Sequence, residues 1–521
     1  MTQELQNLPI GIQDFESLRN DGYLYVDKTA LMYRLVSTGR YYFLSRPRRF
    51  GKSLLISTLK AYFLGKKELF KGLAVEQLET QWNVHPVLHL DLNTSKFVEK
   101  NVLQNKLDSA LTAWEKIYGR ADNNDDLGVR FENVIRCAYE KTGQRVVILV
   151  DEYDKPMLQA IGKPELQDDY RATLKGFYGA LKSMDGCIKF AMLTGVTKFG
   201  KVSVFSDLNN LEDISMNKSY YNICGIDKEE LHGILRPYVE QLAAANNIGI
   251  DDTYAKLKKH YDGYHFLRNT DGIYNPFSVL NTLKNCEFGS YWFETGTPTY
   301  LVELLKAHNY NLEHMATGEE VEADVLNSID STSTNPIPVI FQSGYLTITG
   351  YDERFGLYKL GFPNEEVREG FMRFLMPHYT PVETGKTGFQ IMNFVREVEA
   401  GKIDDFMARI KSFFANTPYE LVRDLENHYQ NVLFILCNLC GLYTKAEYHT
   451  SQGRIDMTIE TADYVYVFEF KFNKTAREAL QQIKDNNYAE PFRASGKKIV
   501  LIGANFNHEI RNIDEWVVKL I

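Results

Sequence analysis

The feature that most constrains this chain is a short apolar run that leads through a basic loop into Gly51-Lys52-Ser53. Residues 41–45 read YYFLS, which is typical of a buried strand. After Ser53, apolar residues recur at helical spacing. A strand, a loop and a helix in this order direct backbone N–H groups and a helix N-terminus at one place, where phosphates bind. The sequence therefore predicts a phosphate-binding loop near the N-terminus.

The composition of the loop predicts how a nucleoside triphosphate binds. In the pattern G-x-x-x-x-G-K-[ST], Lys52 would reach the β- and γ-phosphates and the Ser53 hydroxyl would ligate Mg²⁺. The first glycine falls on Arg46, so the motif alone is a weak signal, and a basic turn that happens to contain GKS is the alternative. The residues predicted to bind ATP are Arg46, Arg48, Arg49, Phe50, Gly51, Lys52, Ser53, Leu54 and Thr194.

Acids at the end of a later strand extend this prediction. The apolar run RVVILVDEYD (145–154) ends in Asp151 and Glu152. Open α/β sheets bind ligands at the carboxyl ends of their strands. Asp151, with Ser53, therefore suits the Mg²⁺ shell, and Glu152 suits activation of the attacking water. Solvated acids at an ordinary strand exit are the alternative. Further candidates, at the end of the next strand, are Thr197, Lys198 and Lys201, and a plain Thr-Gly turn there is the alternative.

Strands alternate with helical stretches through the first 225 residues, which predicts a parallel sheet with helices on both faces. The expected strands are 41–45, 86–93, 145–154 and 187–196, and the expected helices are 100–119, 127–141 and 166–183. Residues 226–385 indicate a helical domain, winged-helix-like in character, with a β-hairpin at 339–362. The predicted domains are 1–225, 226–385 and 386–521.

The third predicted domain mixes helices and strands. Its expected helices are 389–414, 420–441 and 475–492, and its expected strands are 442–450, 454–463, 464–472 and 497–506. Glu469 and Lys471 are two apart on one strand, so they share a face. If that strand forms a hairpin with the one before it, Asp456 approaches Glu469.

Two carboxylates beside a lysine can hold Mg²⁺ or Mn²⁺ near a phosphodiester. Glu426, on the preceding helix, is a further metal-ligand candidate, and Gln482, on the following helix, is a further catalytic candidate. The alternative is a solvated ladder of charges on one strand face.

Taken together, these motifs resemble the AAA-ATPase-like family of bacterial proteins. The resemblance rests on YVDKTALMYRLV, RPRRFGKSLLISTL, VDEYDKP, LTGVTKFGKVSVFSDLNNLEDIS and YDGYHF. That family is typically fused to a PD-(D/E)XK nuclease-like domain, which ENHYQ, GRID, VFEFKFNKTAREALQQIKDNNYAE and IGANF resemble. The resemblance implies a C-terminal restriction-endonuclease-like α/β fold and makes Arg46 an expected replacement of the first glycine. It implies nuclease roles for Glu426, Asp456, Glu469, Lys471 and Gln482, with Ile455 in place of the motif's proline.

The charge of the chain restricts nucleic-acid contact to a local surface. The 521 residues carry a net charge of -9, and residues 386–521 contain 17 Lys and Arg against 18 Asp and Glu. The nearest basic cluster is Arg493, Lys497 and Lys498. Because phosphate contacts supply most non-specific affinity, DNA binding by the chain alone should be weak. A homo-oligomer or a partner that adds positive surface would strengthen it.

The leading hypothesis is an ATP-binding and ATP-hydrolysing protein whose nucleotide state controls a Mg²⁺-dependent DNA nuclease-type site. The family suggests a role in defence against phages or mobile elements. One alternative is a nucleotide-controlled switch or scaffold whose tail binds nucleic acid or protein without cleaving it. Another is nucleic-acid remodelling without cleavage. The sequence has neither a secretory signal nor a membrane span, which favours the cytoplasm.

Overall fold

The computed structural model describes residues 5–198, 210–294, 299–327, 335–380, 382–383, 385–415, 425–441, 445–448 and 456–521. The contacts of the chain divide it into two compact units. The N-terminal unit contains residues 1–295 and 320–365, and the C-terminal unit contains residues 296–319 and 366–521. The expected three-domain boundaries stay a prediction. The chain passes through the C-terminal unit at residues 296–319 and then returns to the N-terminal unit at residues 320–365.

The described strands are β1 (Tyr41–Ser45), β2 (Val87–Asp91), β3 (Val146–Asp151), β4 (Ile188–Gly195), β5 (Glu212–Asp213), β6 (Glu319–Glu322), β7 (Thr347–Asp352), β8 (Leu357–Gly361), β9 (Lys445–Tyr448), β10 (Met457–Glu460), β11 (Tyr464–Phe472), β12 (Lys498–Asn507) and β13 (Asn512–Leu520). The described α-helices of the first 300 residues are α1 (Phe15–Asn20), α2 (Thr29–Thr38), α3 (Lys52–Phe63), α4 (Val75–Leu78), α5 (Asn101–Tyr118), α6 (Leu127–Thr142), α7 (Lys155–Gln159), α8 (Pro164–Ser183), α9 (Lys228–His232), α10 (Arg236–Asn246), α11 (Ile250–Tyr261), α12 (Pro276–Asn285) and α13 (Tyr291–Glu294). The later ones are α14 (Thr299–Ala307), α15 (His314–Thr317), α16 (Ala323–Asn327), α17 (Ile337–Gln342), α18 (Glu365–Tyr379), α19 (Thr387–Glu399), α20 (Ile403–Ala415), α21 (Leu425–Cys440) and α22 (Ala476–Asp485). None of these described helices is both long and apolar enough to cross a membrane.

The N-terminal unit is built on a five-stranded sheet in the order β2-β3-β4-β1-β5, and each pair of neighbours is parallel. The crossover through α3 runs from β1 to β2, and the crossovers through α5, α6 and α8 run in the opposite direction. Right-handed crossovers therefore place α3 on one face and the other three helices on the opposite face. The predicted parallel α/β sheet is confirmed. The two-residue strand β5 was not predicted.

The middle of the chain contributes a three-stranded sheet in the order β6-β8-β7. The expected hairpin is present as β7 and β8, which pair antiparallel. Its predicted start at residue 339 was wrong, because residues 337–342 form α17. Pro338 lies in the first turn of that helix, where its fixed φ favours helical geometry. The winged-helix interpretation stays a prediction.

The C-terminal unit contains a mixed sheet in the order β13-β12-β11-β10-β9. The β10–β11 hairpin is antiparallel, and β12 runs parallel to β11 after the crossover helix α22. The single helix expected at 389–414 is two helices, α19 and α20, because the chain turns at Gly401, whose φ of 72° favours glycine. The edge strand β13 was not predicted.

Candidate functional site

Lys52 is the first residue of α3, and its side chain turns back onto the loop between β1 and this helix. Its ammonium group donates to the carbonyl oxygens of Arg46 at 3.0 Å and Pro47 at 3.2 Å. It also lies 3.3 Å from the Glu152 carboxylate, and the side chain is only 3% exposed. Gly51, with φ of 92°, turns the chain into α3. The loop therefore closes around the buried Lys52 ammonium group, which faces the end of β3.

The sheet brings Asp151 and Thr194 to the same edge as this loop. Strand β4 lies between β1 and β3, and the Thr194 hydroxyl donates to Asp151 at 2.7 Å. The next residue, Glu152, has φ of 55°, a left-handed conformation that costs energy for a residue with a side chain. Ser53 lies half-buried in the first turn of α3. The fold thus gathers the predicted acids and the threonine beside Lys52.

Asp154 is a buried acid of this edge that the sequence analysis did not single out. It accepts hydrogen bonds from the Thr197 backbone N–H and hydroxyl, both at 2.6 Å. A Cβ on Gly195 would lie 2.5 Å from Asp154, so only glycine allows this close packing. Burial, and then the charge of Glu152, raises the pKa of the Asp154 carboxyl well above its ordinary range. Asp154 therefore joins the turn that follows β3 to the turn that follows β4.

The remaining candidates at the end of β4 have other surroundings. The Lys198 ammonium lies 2.7 Å from Asp213, and the Lys198 backbone N–H donates to Gln342 at 2.6 Å. Lys198 thus connects β4 to β5 and α17, and its role toward ATP stays a prediction. Lys201 lies outside the described residues.

Arg46 is bound by the protein itself. Its guanidinium group is buried, donates to Ser215 O at 2.8 Å and Tyr221 O at 3.2 Å, and lies 4.0 Å from the centre of the Phe266 ring. These contacts fix the start of the loop in place of the missing glycine. Arg46 therefore shapes the loop, and its contact with ATP stays a prediction.

The next two arginines also contact aromatic rings of the N-terminal unit. Arg48 lies 5.3 Å from the centre of the Trp292 ring, whose indole N–H donates to the Arg48 carbonyl at 3.1 Å. The Arg48 guanidinium also lies 3.4 Å from the Tyr345 hydroxyl. Arg49 is exposed and lies 5.0 Å from the centre of the Phe277 ring. The loop thus touches segments that lie more than two hundred residues later in the chain.

An apolar cavity of about 100 Å³ adjoins the loop. Phe50, Gly51 and Leu54, all predicted contacts of ATP, form part of its wall. The opposite wall includes Tyr25, Ile223, Cys224, Pro276 and Leu280. Apolar walls beside a polar anchoring group are typical of small-molecule sites and suit the flat base of a nucleotide.

The second group of predicted residues meets at the end of β11. The Lys471 ammonium donates to Glu469 at 2.8 Å and to the Gln482 side-chain oxygen at 2.6 Å. Asp456, just before β10, accepts a hydrogen bond from the Phe470 backbone N–H at 2.8 Å. The hairpin and α22 therefore bring these four side chains to one place.

Two local features hold α22 against this strand. Thr475 and Glu478 form a capping box at its N-terminus, which fixes where the helix begins. A Cβ on Gly503 of β12 would lie 2.3 Å from Ala476 O, so glycine allows the helix to approach the sheet closely. Gln482 is placed two turns along this helix and reaches Lys471 from there.

The carboxylates of this cluster fit a divalent cation. Glu469 is 2% exposed, and its Oε2 atom has no hydrogen-bond partner among the described residues. Burial raises the pKa of Glu469, although Lys471 opposes the rise. Burial and the Glu469 charge raise the pKa of Asp456 to about 7. A buried oxygen without a partner beside a second carboxylate is suited to Mg²⁺ or Mn²⁺.

Glu426 and the basic residues have other surroundings, and one predicted segment lies outside the described residues. Glu426 is exposed at the start of α21 and is not among the described groups that contact Glu469 or Lys471. Residues 453–455 lie outside the described residues. The predicted basic cluster is largely neutralised, because Arg493 lies 2.7 Å from Glu490 and Lys497 lies 2.8 Å from Glu460.

Comparison with known proteins matches the two regions of the chain that contain these groups of residues. Residues 9–205 match the family described as predicted AAA-ATPase, and residues 424–516 match the PD-(D/E)XK nuclease superfamily. The chain is 37% identical, over 529 aligned positions, to the "Uncharacterized protein in vnfD 5'region" of Azotobacter chroococcum mcd 1, and the alignment covers 99% of each protein. These are the domains of a nucleotide-binding protein with a nuclease-like tail. The chain therefore belongs to the predicted AAA-ATPase family, with an AAA-like N-terminal domain and a C-terminal domain of the PD-(D/E)XK nuclease superfamily.

Proposed function

We propose that the N-terminal unit binds and hydrolyses ATP, and that its nucleotide state controls a Mg²⁺-dependent DNA nuclease site in the C-terminal unit. The observation that supports this most strongly is the meeting of Lys52, Asp151, Glu152 and Thr194 at one sheet edge beside an apolar cavity. The family that the sequence resembles consists of bacterial proteins. This resemblance supports action in the cytoplasm and a role in defence against phages or mobile elements.

In the proposed nucleotide site, Lys52 binds the β- and γ-phosphates. The Lys52 ammonium group is a single compact charge that now lies beside Glu152. The phosphates of ATP therefore compete with the Glu152 carboxylate for it. Once released from Lys52, Glu152 acts as the base that orients and deprotonates the attacking water. Thr194 holds Asp151 in place through the hydrogen bond of 2.7 Å. The adenine ring of ATP occupies the apolar cavity beside Leu54.

In the proposed nuclease site, Asp456 and Glu469 hold the cation and Lys471 stabilises the negative charge that develops on the phosphodiester. Gln482 orients Lys471 through their hydrogen bond. Ser53 and Asp151 would hold the cation in the other site. At both sites, bound Mg²⁺ would neutralise charge on phosphate oxygens and make a bound water more acidic.

The contacts of the phosphate-binding loop support control by nucleotide. Arg48 touches Trp292 and Tyr345, and Gly344 packs on Pro47 so closely that a Cβ there would lie 2.6 Å from the Pro47 side chain. If ATP binding moves the loop, the movement therefore acts on two segments that contact it, one just before residue 296 and one after residue 319. Residues 296–319 between them belong to the C-terminal unit.

ATP binding and turnover are tested with matched variants of the full chain. Lys52→Ala should abolish ATP binding in calorimetric titration, and Glu152→Gln should bind ATP but not hydrolyse it. Lys60→Ala, which removes an exposed lysine of the same helix, is the control and should match wild type. Unchanged ATP affinity in Lys52→Ala would show that the phosphate site is elsewhere.

The nuclease activity is tested by plasmid cleavage with Mg²⁺ or Mn²⁺. Wild type should cleave, and Asp456→Ala and Lys471→Ala should not. Lys484→Ala, an exposed lysine of α22, is the control and should cleave like wild type. Absence of wild-type cleavage under every metal and nucleotide condition would favour the switch or scaffold alternative.

A further inference from the structure

Lys28, in the motif YVDKTALMYRLV, directly precedes α2 and lies between two residues whose side chains are held by hydrogen bonds. Asp27 accepts from the Thr29 backbone N–H at 2.8 Å and from the Thr29 hydroxyl at 2.6 Å. The second Asp27 oxygen accepts from the Ala74 backbone N–H at 2.7 Å, and the Thr29 hydroxyl accepts from the Val75 backbone N–H at 3.1 Å. These bonds fix the stretch of backbone that carries the Lys28 side chain.

Two acids hold the far end of that side chain. The Lys28 ammonium nitrogen lies 2.5 Å from the Glu230 carboxylate and 4.0 Å from the Asp227 carboxylate, and the Lys28 side chain is only 11% exposed. The same two acids form the capping box of α9, and Asn222 donates to Asp227 at 2.9 Å. The acids are therefore held in place themselves, and they balance the charge of a lysine that is largely removed from water.

The Lys28 side chain also forms part of the wall of the apolar cavity beside the phosphate-binding loop. It is the one charged side chain among the described residues of that wall. An ammonium group has three hydrogen-bond donors. Apart from the ion pair, the buried Lys28 nitrogen has no hydrogen-bond partner in the part of the chain that the structure describes. The wall of the cavity therefore offers a buried donor to a bound molecule.

A purine base in this cavity requires such a donor. The flat faces of adenine suit apolar walls, but its ring nitrogens accept hydrogen bonds from water, and burying them without a donor costs free energy. Gly51 belongs to the same wall and directly precedes Lys52, so the cavity adjoins the place proposed for the phosphates. One nucleotide can therefore reach both lysines, with its base at Lys28 and its phosphates at Lys52.

We propose that Lys28 recognises the base of the nucleotide: its ammonium group donates to a ring nitrogen of adenine, while Glu230 and Asp227 balance its charge. This inference rests on the proposed binding of ATP. It adds a residue that contacts the base to the residues that contact the phosphates. Because the phosphates are the same in every nucleoside triphosphate, a contact with the base is what can distinguish one nucleotide from another.

The test is a calorimetric titration of the full chain with ATP and with three analogues, 1-deaza-ATP, 3-deaza-ATP and 7-deaza-ATP. Each analogue has a carbon in place of one ring nitrogen and so lacks one acceptor. Divalent cations are left out, so that the proposed hydrolysis does not proceed. Wild type should bind at least one of the analogues roughly tenfold more weakly than ATP, because a buried hydrogen bond to a charged donor is lost. Equal affinity for ATP and all three analogues would overturn the proposal.

Lys28→Met keeps most of the length of the side chain and removes the donor. This variant should bind ATP roughly tenfold more weakly than wild type does and should no longer distinguish ATP from the analogue that wild type disfavours. Lys66→Met is the matched control, because it removes an ion-paired lysine of the same unit that is not part of the cavity wall. It should keep the wild-type preference. If Lys28 were only structural, Lys28→Met would weaken ATP and the analogue by the same factor, and this result would overturn the proposal.

Lys28→Met also leaves Glu230 without its ion pair, so Lys28→Met combined with Glu230→Gln is a second variant. Glutamine at this position removes the unpaired charge and still accepts the Asp227 N–H bond. The double variant should likewise fail to distinguish ATP from the disfavoured analogue, and a wild-type preference in it would overturn the proposal. The phosphate site is tested separately in the same titrations. If Lys52→Ala binds ATP as tightly as wild type does, the proposed nucleotide function fails, and the base recognition that rests on it fails as well.

Discussion

Replacing Asp456 by asparagine should make the protein more stable at neutral and alkaline pH. Burial and the Glu469 charge raise the pKa of this carboxyl from an ordinary 3.8 to about 7. At ~1.4 kcal/mol for each pH unit, keeping Asp456 ionised in the folded state costs at most about 4 kcal/mol. Asp456 is partly exposed, so screening by water reduces this figure, and we expect about 2 kcal/mol.

The sign of the effect depends on pH. The folded state binds the Asp456 proton more tightly than the unfolded state does. The resulting stabilisation is complete below pH ~4 and is lost as pH rises through ~7. Asparagine imitates the protonated carboxyl and still accepts the Phe470 N–H bond. The advantage of Asp456→Asn should therefore be near zero at pH ~4 and reach its full value at pH ~8.

The assay is thermal unfolding of the full chain at several pH values, without divalent cations. A gain of about 2 kcal/mol corresponds to roughly 4–8 °C in the transition of a unit of this size. Asp463→Asn, an exposed acid in the β10–β11 turn, is the matched control and should not shift the transition. Excess Mn²⁺ should reverse the order, because only wild type keeps both carboxylates and is stabilised by the cation. An Asp456→Asn protein that is less stable at pH ~8, or whose advantage does not depend on pH, would refute the reasoning.

Three further predictions concern the same two sites. Mn²⁺ affinity of wild type should fall about tenfold between pH ~8 and pH ~6, because the cation competes with the Asp456 proton, and pH-independent affinity in a titration followed by the electron paramagnetic resonance signal of free Mn²⁺ would contradict this. Gly344→Ala should lower the unfolding temperature and the ATP affinity, because the new Cβ would lie 2.6 Å from the Pro47 side chain and the residue has a φ of +88°. Gly356→Ala is the control for backbone strain alone, because Gly356 has a φ of +71° but its Cβ would have no atom closer than 3.8 Å. Arg46→Lys should destabilise the N-terminal unit by roughly 2–3 kcal/mol in thermal unfolding, because buried carbonyls such as Ser215 O lose their donor; unchanged stability together with lost ATP binding would instead make Arg46 a phosphate ligand.

The strands that carry the nucleotide site could be predicted because their signal is local. YYFLS and VVILVD are dominated by apolar residues, and both form fully buried parallel strands. The closeness of Asp151 and Thr194 followed from the rule that parallel strands end at one edge. Asp154 could not be predicted as a buried residue, because an acid just after a strand is usually solvated. Its burial depends on later residues, including Thr197, which donates hydrogen bonds to it.

What could not be predicted depends on contacts between distant parts of the chain. The partners of Arg46 lie about 170 residues later, and nothing in RPRRF indicates that Ser215 and Tyr221 will accept its hydrogen bonds. The return of residues 320–365 to the N-terminal unit is of the same kind.

The C-terminal cluster shows both outcomes. The two-residue spacing of Glu469 and Lys471 correctly placed them on one face, and Gln482 reaches Lys471 from α22, which lies within the helix expected at 475–492. Glu426 was expected beside them from the resemblance, but it lies exposed on the first turn of α21. The edge strand β13 was missed because its buried and exposed residues do not alternate cleanly.

The central claim, that ATP at the loop controls cleavage in the tail, is tested most directly by one measurement. Plasmid nicking with Mn²⁺ is followed over time without nucleotide, with ATP and with ADP, for wild type and Lys52→Ala, with Asp456→Ala as the blank. We predict that ATP changes the wild-type nicking rate severalfold, that Lys52→Ala nicks at a rate indifferent to nucleotide, and that Asp456→Ala does not nick. A wild-type rate that is the same with and without bound ATP, or a Lys52→Ala rate that follows ATP as wild type does, would contradict the claim.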